Sequence, residues 1–298
     1  MRVGRVRTSD GEAYLARSRD GVIELLLPDP DDRRTDLLRD ILASGAAVGD
    51  LPAMRALPAE DVRWLAPVVA PEKIIAVGLN YVDHASEVEL ELPKAPLLFP
   101  KLANTIIGPE EPIRFDDGYS TQVDYEAELA VVVGRTMRRI EPETALDHVF
   151  GYTLANDVSA RDAQFSDGQW FRGKNFDTFC PIGPAIVTAD EIPDPQSLSL
   201  QARVNGLLLQ DDTTASMIFG VAELLSYASR YMTLVPGDLI LTGTPSGIGF
   251  ARSPQIFLRK GDRVEVSSDT IGVLGNEVAP LLEGEVPMSA IDQVARPI

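Results

Sequence analysis

A disulfide within this chain is excluded, because its 298 residues include a single cysteine, Cys180. A reducing compartment is the simpler setting for such a sequence, and the cytoplasm is the expected location. No apolar run reaches the roughly 18 residues that a membrane span needs. The opening residues, Met1 to Arg5, lack the apolar stretch of a secretory signal. Basic residues are outnumbered by acidic ones, 27 against 45, and the net charge is −18. Such a field repels nucleic acid and anionic lipid, and no basic cluster offsets it, so neither is an expected partner. It repels an anionic metabolite too, so a carboxylate substrate needs a local cation, either a metal or a few positioned Lys and Arg. Also missing is a Gly-rich fingerprint after a strand, and strands do not alternate regularly with helices. Both absences argue against a nucleotide-binding doubly wound fold. There are no internal repeats or low-complexity tracts.

What is present suits a globular protein, with 45% apolar and 24% charged residues. The length allows one large core and a small appended domain. Residues 1–66 read as a small strand-rich N-terminal unit. Asp10-Gly11 and Asp20-Gly21 are hairpin signals flanked by strand-like runs. Leu37, Leu38, Ile41 and Leu42 then recur at helical spacing, with Gly45 as the stop. A Pro- and Ala-containing connector over 51–71 leads into residues 67–298, where strand signals dominate at 73–77, 128–133, 151–155, 198–204, 207–210, 238–242 and 263–266. Asn205-Gly206 supplies a two-residue turn between two of them. One helix is expected over 218–231, with Phe219, Leu224, Leu225 and Ala228 to bury. The predicted fold class is α+β and β-rich.

Four groups of residues could carry chemistry. Glu126 and Glu128 precede the apolar run 129–133, and on a strand they share a face, with Asp124 beside them. A solvated strand face is the plain reading of that pentapeptide. A site for a hard cation such as Mg²⁺ or Mn²⁺ is the sharper one, since these ions select oxygen ligands. It requires a third carboxylate, for which Asp157, after the apolar stretch 151–155, is the natural choice. His84 and Glu87 lie three apart and would share a helix face, where a carboxylate can orient an imidazole. Surface pairs of this kind are common, but the chain has only two histidines, and His148 reads as a packing or surface position. The stretches 173–177 and 242–247 contain Gly and read as loops, with Lys174 and Thr244 able to offer a cation and a hydroxyl to a ligand.

In order along the chain, Gly78, Asn80, Tyr81, His84 and Glu87 are followed by Phe99-Pro100-Lys101, by Asp124 to Glu128, and by Asn156 to Asp162. Then come Gly173-Lys174-Asn175-Phe176-Asp177, Met217 to Phe219, and Leu234 to Pro245. Taken together this series resembles the fumarylacetoacetate hydrolase family, in particular its shorter members of acylpyruvase and dienoate-isomerase type, over residues 70–280. The resemblance implies a mixed β-roll fold and a homodimer. It implies Glu126, Glu128 and Asp157 as ligands of Mg²⁺ or Mn²⁺. It further implies His84 and Glu87 as a catalytic dyad on a lid over 81–93, with Lys174 assisting, and Arg161, Gln164, Lys174 and Thr244 as substrate contacts. Asp212 stands where this family pattern suggests Asn, which touches none of these roles.

The activity that follows is metal-dependent hydrolysis of a C–C bond in an acylpyruvate-type 2,4-diketo acid, a ketonic substrate. A 2-keto acid can chelate a metal held by three carboxylates, which stabilises the enolate formed on cleavage. His84 and Glu87 activate the attacking water, and Lys174 and Arg161 supply the local positive charge. Decarboxylation of oxaloacetate and isomerisation of a 2-hydroxy-dienoate use the same chemistry and stay open. A non-catalytic dimeric binding protein is disfavoured, because every implied ligand and the dyad are present.

Overall fold

Alternation and its absence mark the strands that matter most. The computed structural model of the chain describes residues 1–19, 21–166 and 168–282. In it the run Ala127–Val133 is a strand buried along its whole length. Leu129, Val131 and Val133 join the cluster that includes Leu200, Ala202 and Val266, while Ala130 and Val132 join the cluster that includes Leu38, Val68 and Ile74. Burial on both faces explains why the run is continuously apolar. Each buried Leu or Val stabilises by about 1.5–3 kcal/mol, against several kcal/mol for one desolvated carboxylate. The strand can therefore carry Glu128 at its start, on the face of Ala130 and Val132.

Among the described residues, this strand lies in the main sheet between Val149–Asn156 and Leu239–Leu241. Beyond Leu239–Leu241 the sheet continues with Ile74–Gly78, paired in parallel, and Leu97–Lys101. On the other side come Cys180–Thr188, Arg2–Thr8, Ala13–Arg19, Val22–Asp29 and Arg55–Pro58. A second sheet runs Leu207–Thr213, Ser199–Val204, Arg263–Ser268, Gly272–Ala279, Ile113–Arg114. It covers one face of the main sheet through Leu200, Ala202, Val264 and Val266.

The N-terminal segment is strand-rich as expected, and its strands prolong the main sheet through the pairs Arg2↔Val187 and Val3↔Ile186. We retain the division of the chain into 1–66 and 67–298 as a proposal, tested by whether 67–298 folds when expressed alone. Its last part, 283–298, lies outside the described residues. So does Asp20 of the second hairpin signal, whereas Gly11 turns with φ of +94°. Asn205 and Gly206 both have positive φ, as a two-residue hairpin turn requires.

Two helices show how side chains set boundaries. Leu37–Ala43 starts where the Asp36 carboxylate accepts from Arg39 N at 3.0 Å. The other oxygen of Asp36 accepts from Val69 N at 2.8 Å, fixing the helix to the connector. The long helix is Val221–Tyr231 and buries Leu224, Leu225 and Ala228. It begins three residues later than expected because Gly220, with ψ of 163° and its N–H donating to Glu223 Oε2 at 2.8 Å, is the cap. Ile218 N and Phe219 N donate instead to the backbone and side-chain oxygens of Asn80 at 2.8 and 2.9 Å. Among the described residues, no helix is long and apolar enough to cross a membrane.

Candidate metal centre and active site

Strand register assembles the acidic cluster. Ala127 pairs with Asn156 and Glu128 with Ala155, so the residue before one strand faces the residue after the other. Asp157 N donates to Glu126 O at 2.9 Å, and Glu126 N donates to Asn156 Oδ1 at 3.0 Å. Glu126, Glu128 and Asp157 thereby bring one carboxylate oxygen each within 4.8 Å of one another, and all three are buried. Asp124 does not join them. Residues 123–124 leave this strand and pair instead with Ser159–Ala160. Asp124 accepts from Tyr125 N, Gly249 N and Phe250 N and from Arg161 Nε at 2.9 Å.

Three buried cations surround the triad. Lys174 Nζ donates to Glu126 at 2.7 Å and to Asp157 at 2.6 Å. Lys101 Nζ donates to the other Asp157 oxygen at 2.6 Å and to Lys174 O at 2.5 Å. Arg161 Nη2 donates to Glu126 at 2.6 Å, and its Nη1 to Gln164 Oε1 at 3.0 Å. Burial pushes the Glu126 carboxyl up, but Lys174 and then Arg161 outweigh it and hold it well below the usual range. Glu128 goes the opposite way. Burial, then the charges of Asp157 and Glu126, hold its carboxyl well above the usual range. Its bond from Gly243 N at 2.7 Å only partly offsets that. Among the described residues no ion pair includes Glu128.

This arrangement fits a hard divalent cation. Asp124, Glu126, Glu128 and Asp157 are four buried carboxylates, and Lys101, Arg161 and Lys174 are three buried cations. With all four ionised, as ligands of a cation would be, one negative charge exceeds the three cations, at Glu128. Oxygen-only donors are the set that Mg²⁺ and Mn²⁺ select.

His84 and Glu87 meet as the spacing suggests. His84 and Glu87 lie on the helix Val82–Glu87, with His84 Nδ1 at 2.8 Å from Glu87 Oε1. The second Glu87 oxygen accepts from Gly247 N at 2.8 Å, which locks the pair to the 242–247 loop. A neutral ring whose proton sits on Nδ1, facing the carboxylate, would leave Nε2 as an acceptor. Asn80 holds the preceding turn, donating to Thr242 O at 2.8 Å and to Phe219 O at 3.0 Å. Gly243, with φ of +94°, is needed beside it, because a Cβ there would lie 2.8 Å from Asn80 Cβ.

A cavity of about 260 Å³ joins these parts. His84, Glu126, Glu128, Arg161, Gln164, Lys174 and Thr244 line it, while Glu87 and Asp157 stand behind its wall. Thr244 Oγ1 accepts from Gln210 Nε2 at 2.8 Å. From the segment expected as a lid, Val88 and Leu90 also line the cavity. His148 is not among the lining residues. Sequence reasoning gave Lys101 no role, although it shares the strand face of Phe99 in Leu97–Lys101, and Phe99 lines the cavity. It also missed Trp170, whose ring fills the space a side chain at Gly78 would need, 2.2 Å from a Cβ placed there.

Comparison with known proteins shows the family to which the chain belongs. The family model described as fumarylacetoacetate (FAA) hydrolase, C-terminal, matches residues 73–279. The mitochondrial oxaloacetate tautomerase fahd2 of Xenopus laevis is 49% identical over 224 residues, 74% of this chain and 70% of that protein. The 2,4-didehydro-3-deoxy-L-rhamnonate hydrolase of a Sphingomonas strain is 45% identical over 239 residues, covering 80% of this chain and 82% of its own. Among solved structures, a fumarylacetoacetate hydrolase from Exiguobacterium antarcticum superimposes with a TM-score of 0.81 at 39% identity, covering 94% of this chain and all of that one. The order of motifs, the β-rich fold and the shared sequence lead to one conclusion: this chain belongs to the fumarylacetoacetate hydrolase family.

Proposed function

We propose that this protein hydrolyses the C3–C4 bond of an acylpyruvate-type 2,4-diketo acid with the help of a divalent cation. The observation that carries the reading is the His84–Glu87 pair, at 2.8 Å, whose histidine lines the same cavity as Glu126 and Glu128 of the carboxylate cluster. Glu126, Glu128 and Asp157 would hold Mg²⁺ or Mn²⁺, which when bound supplies Lewis-acid stabilisation of negative charge on the oxygens of a 2-keto acid. Lys174 and Arg161 set the field around the substrate carboxylate, against a chain whose net charge is −18. Gln164 and Thr244 orient the substrate from the cavity wall. His84 Nε2 takes a proton from water as the water oxygen attacks the C4 carbonyl, and Glu87 holds the ring in place. The C3–C4 bond then breaks, the acyl half leaves as a carboxylic acid, and C3 receives a proton to give pyruvate. The Sphingomonas relative supports this reading, since the substrate in its name is oxidised at C2 and C4, as an acylpyruvate is.

The likeness to the Xenopus tautomerase favours a second reading. There the dyad only moves a proton between C3 and the C2 oxygen of oxaloacetate, and no water is added. Decarboxylation of oxaloacetate and isomerisation of a 2-hydroxy-dienoate are variants of that simpler chemistry. Acetylpyruvate and oxaloacetate followed by ultraviolet absorbance with the unmodified protein and Mn²⁺ separate hydrolysis from tautomerisation, and His84→Ala separates hydrolysis from decarboxylation. Hydrolysis should fall by roughly 10²- to 10⁴-fold, while decarboxylation, which needs no base, should change far less. Unchanged acetylpyruvate hydrolysis with metal binding intact would remove the dyad from the mechanism. We further propose a homodimer in the cytoplasm. Its interface should exceed roughly 1,000 Å², and light scattering that shows only monomer would exclude it.

A further inference from the structure

The cavity is polar at one end and apolar at the other. Each of its seven polar side chains, from His84 to Thr244, is at least nine-tenths buried. The partly exposed lining is apolar instead. Phe165 is 56% and Leu90 53% exposed, and Leu79, Val88, Phe99, Trp170 and Phe250 are only partly covered. The floor is therefore charged and the mouth is hydrocarbon. Phe165 and Phe250 stand with ring centroids 5.0 Å apart, and Phe99 meets Trp170 edge-on at 5.2 Å. Exposed aromatic side chains gathered at the mouth of a cavity mark a contact surface for a ligand.

The charges point the same way. Both cations of the cavity floor are already committed, Lys174 to Glu126 and Asp157, and Arg161 to Asp124 and Glu126. Among the described residues lining the mouth there is no Lys, Arg or His. The chain on either side of Leu90 carries Glu89 and Glu91, both exposed. A second carboxylate on the outer part of a ligand would meet no cation in the wall of the mouth and two like charges in the chain beside Leu90. Arg172, outside the wall, donates to Ser166 Oγ at 2.8 Å. An alkyl or aryl group would bury against Phe165, Trp170 and Leu90.

We propose that the substrate is a monocarboxylate whose 2-keto acid head is followed by an apolar alkyl or aryl tail, and that Phe165 and Trp170 select for that tail. This rests on the reading of the cavity as a 2-keto acid site. The test uses non-cleavable acids, so it is independent of hydrolysis. The Mn²⁺-loaded protein is titrated calorimetrically with pyruvate, 2-oxoglutarate and 2-oxo-4-phenylbutanoate, and acetylpyruvate hydrolysis is assayed separately. The phenyl acid should bind at least about tenfold tighter than either of the others, the equivalent of one to two buried CH₂ groups. Phe165→Arg, at an exposed position, should narrow the gap to 2-oxoglutarate about tenfold. Equal or tighter binding of 2-oxoglutarate by the unmodified protein would overturn the tail assignment, and so would a ratio left unchanged by Phe165→Arg. If acetylpyruvate is still hydrolysed in that case, the site reading survives and the tail inference alone falls. Binding of none of the three acids would overturn both.

Discussion

Among the described residues, two clusters of charge, one half-exposed and one buried, differ in what is left over. In the N-terminal part, Arg5 holds Asp29 with two bonds of 2.9 Å and Asp31 with one of 2.7 Å, while Arg7 also pairs with Asp31. Two guanidinium groups face two carboxylates, and nothing remains. Around the cavity, four carboxylates face three cations, and Glu128 has no cation of its own among the described residues. A matched cluster is sufficient explanation of itself as structure. A cluster with one buried carboxylate in excess must keep a proton there or take a further cation. The pattern of pairing distinguishes the two, whereas the total charge cannot.

The sharpest way to break this comparison is at the triad. Glu126→Ala removes one of the three proposed oxygen ligands and frees Lys174 and Arg161 from a partner. Loss of several kcal/mol of charge stabilisation should lower acetylpyruvate hydrolysis and oxaloacetate turnover together, by about 10⁴-fold. Loss of one reaction with the other intact would show that the two do not share a metal. At the N-terminal cluster the expected effect is on stability. Arg5→Met leaves Asp29, whose side chain is 5% exposed, without its partner. Unfolding in urea should show about 3–5 kcal/mol of destabilisation, with kcat/KM of the folded fraction unchanged. A change in metal affinity would mean that the clusters are coupled.

A smaller effect concerns Cys180, buried behind the triad. Burial pushes its thiol up to about 12. The unfolded chain ionises this thiol near pH 9, whereas the folded chain keeps its proton until higher pH. Stability from this group is thus complete below about pH 9 and declines above it, by about 1.4 kcal/mol per pH unit. Cys180→Ala should flatten that decline in urea midpoints measured between pH 9 and 10.5. Equal slopes for the two proteins would contradict the assignment.

Legibility in the sequence followed the range of the interaction involved. The strand Ala127–Val133, the turn at Asn205 and Gly206, and the helix of His84 and Glu87 depend on neighbours in sequence, so period and turn chemistry displayed them. Asp157 was reachable because it ends a strand, although only the register Ala127↔Asn156 explains why it meets Glu126. Asp124 was misplaced because alternation assumes an unbroken strand, and the chain changes partners between Asp124 and Ala127. Lys101 and Trp170 belong to contacts that cross 73 and 92 residues, to Lys174 O and to Gly78 respectively, and no local pattern encodes those. The order of strands in the main sheet was hidden for the same reason.

The central claim is that the remainder at Glu128 is answered by a divalent cation. Titration of the metal-stripped protein with Mn²⁺, read by the loss of free-ion signal in electron paramagnetic resonance, tests it directly. The account predicts one Mn²⁺ per chain in the unmodified protein and in Arg5→Met, and affinity weakened by at least about tenfold in Glu128→Gln. Equal affinity in Glu128→Gln, or no binding by the unmodified protein, would contradict it.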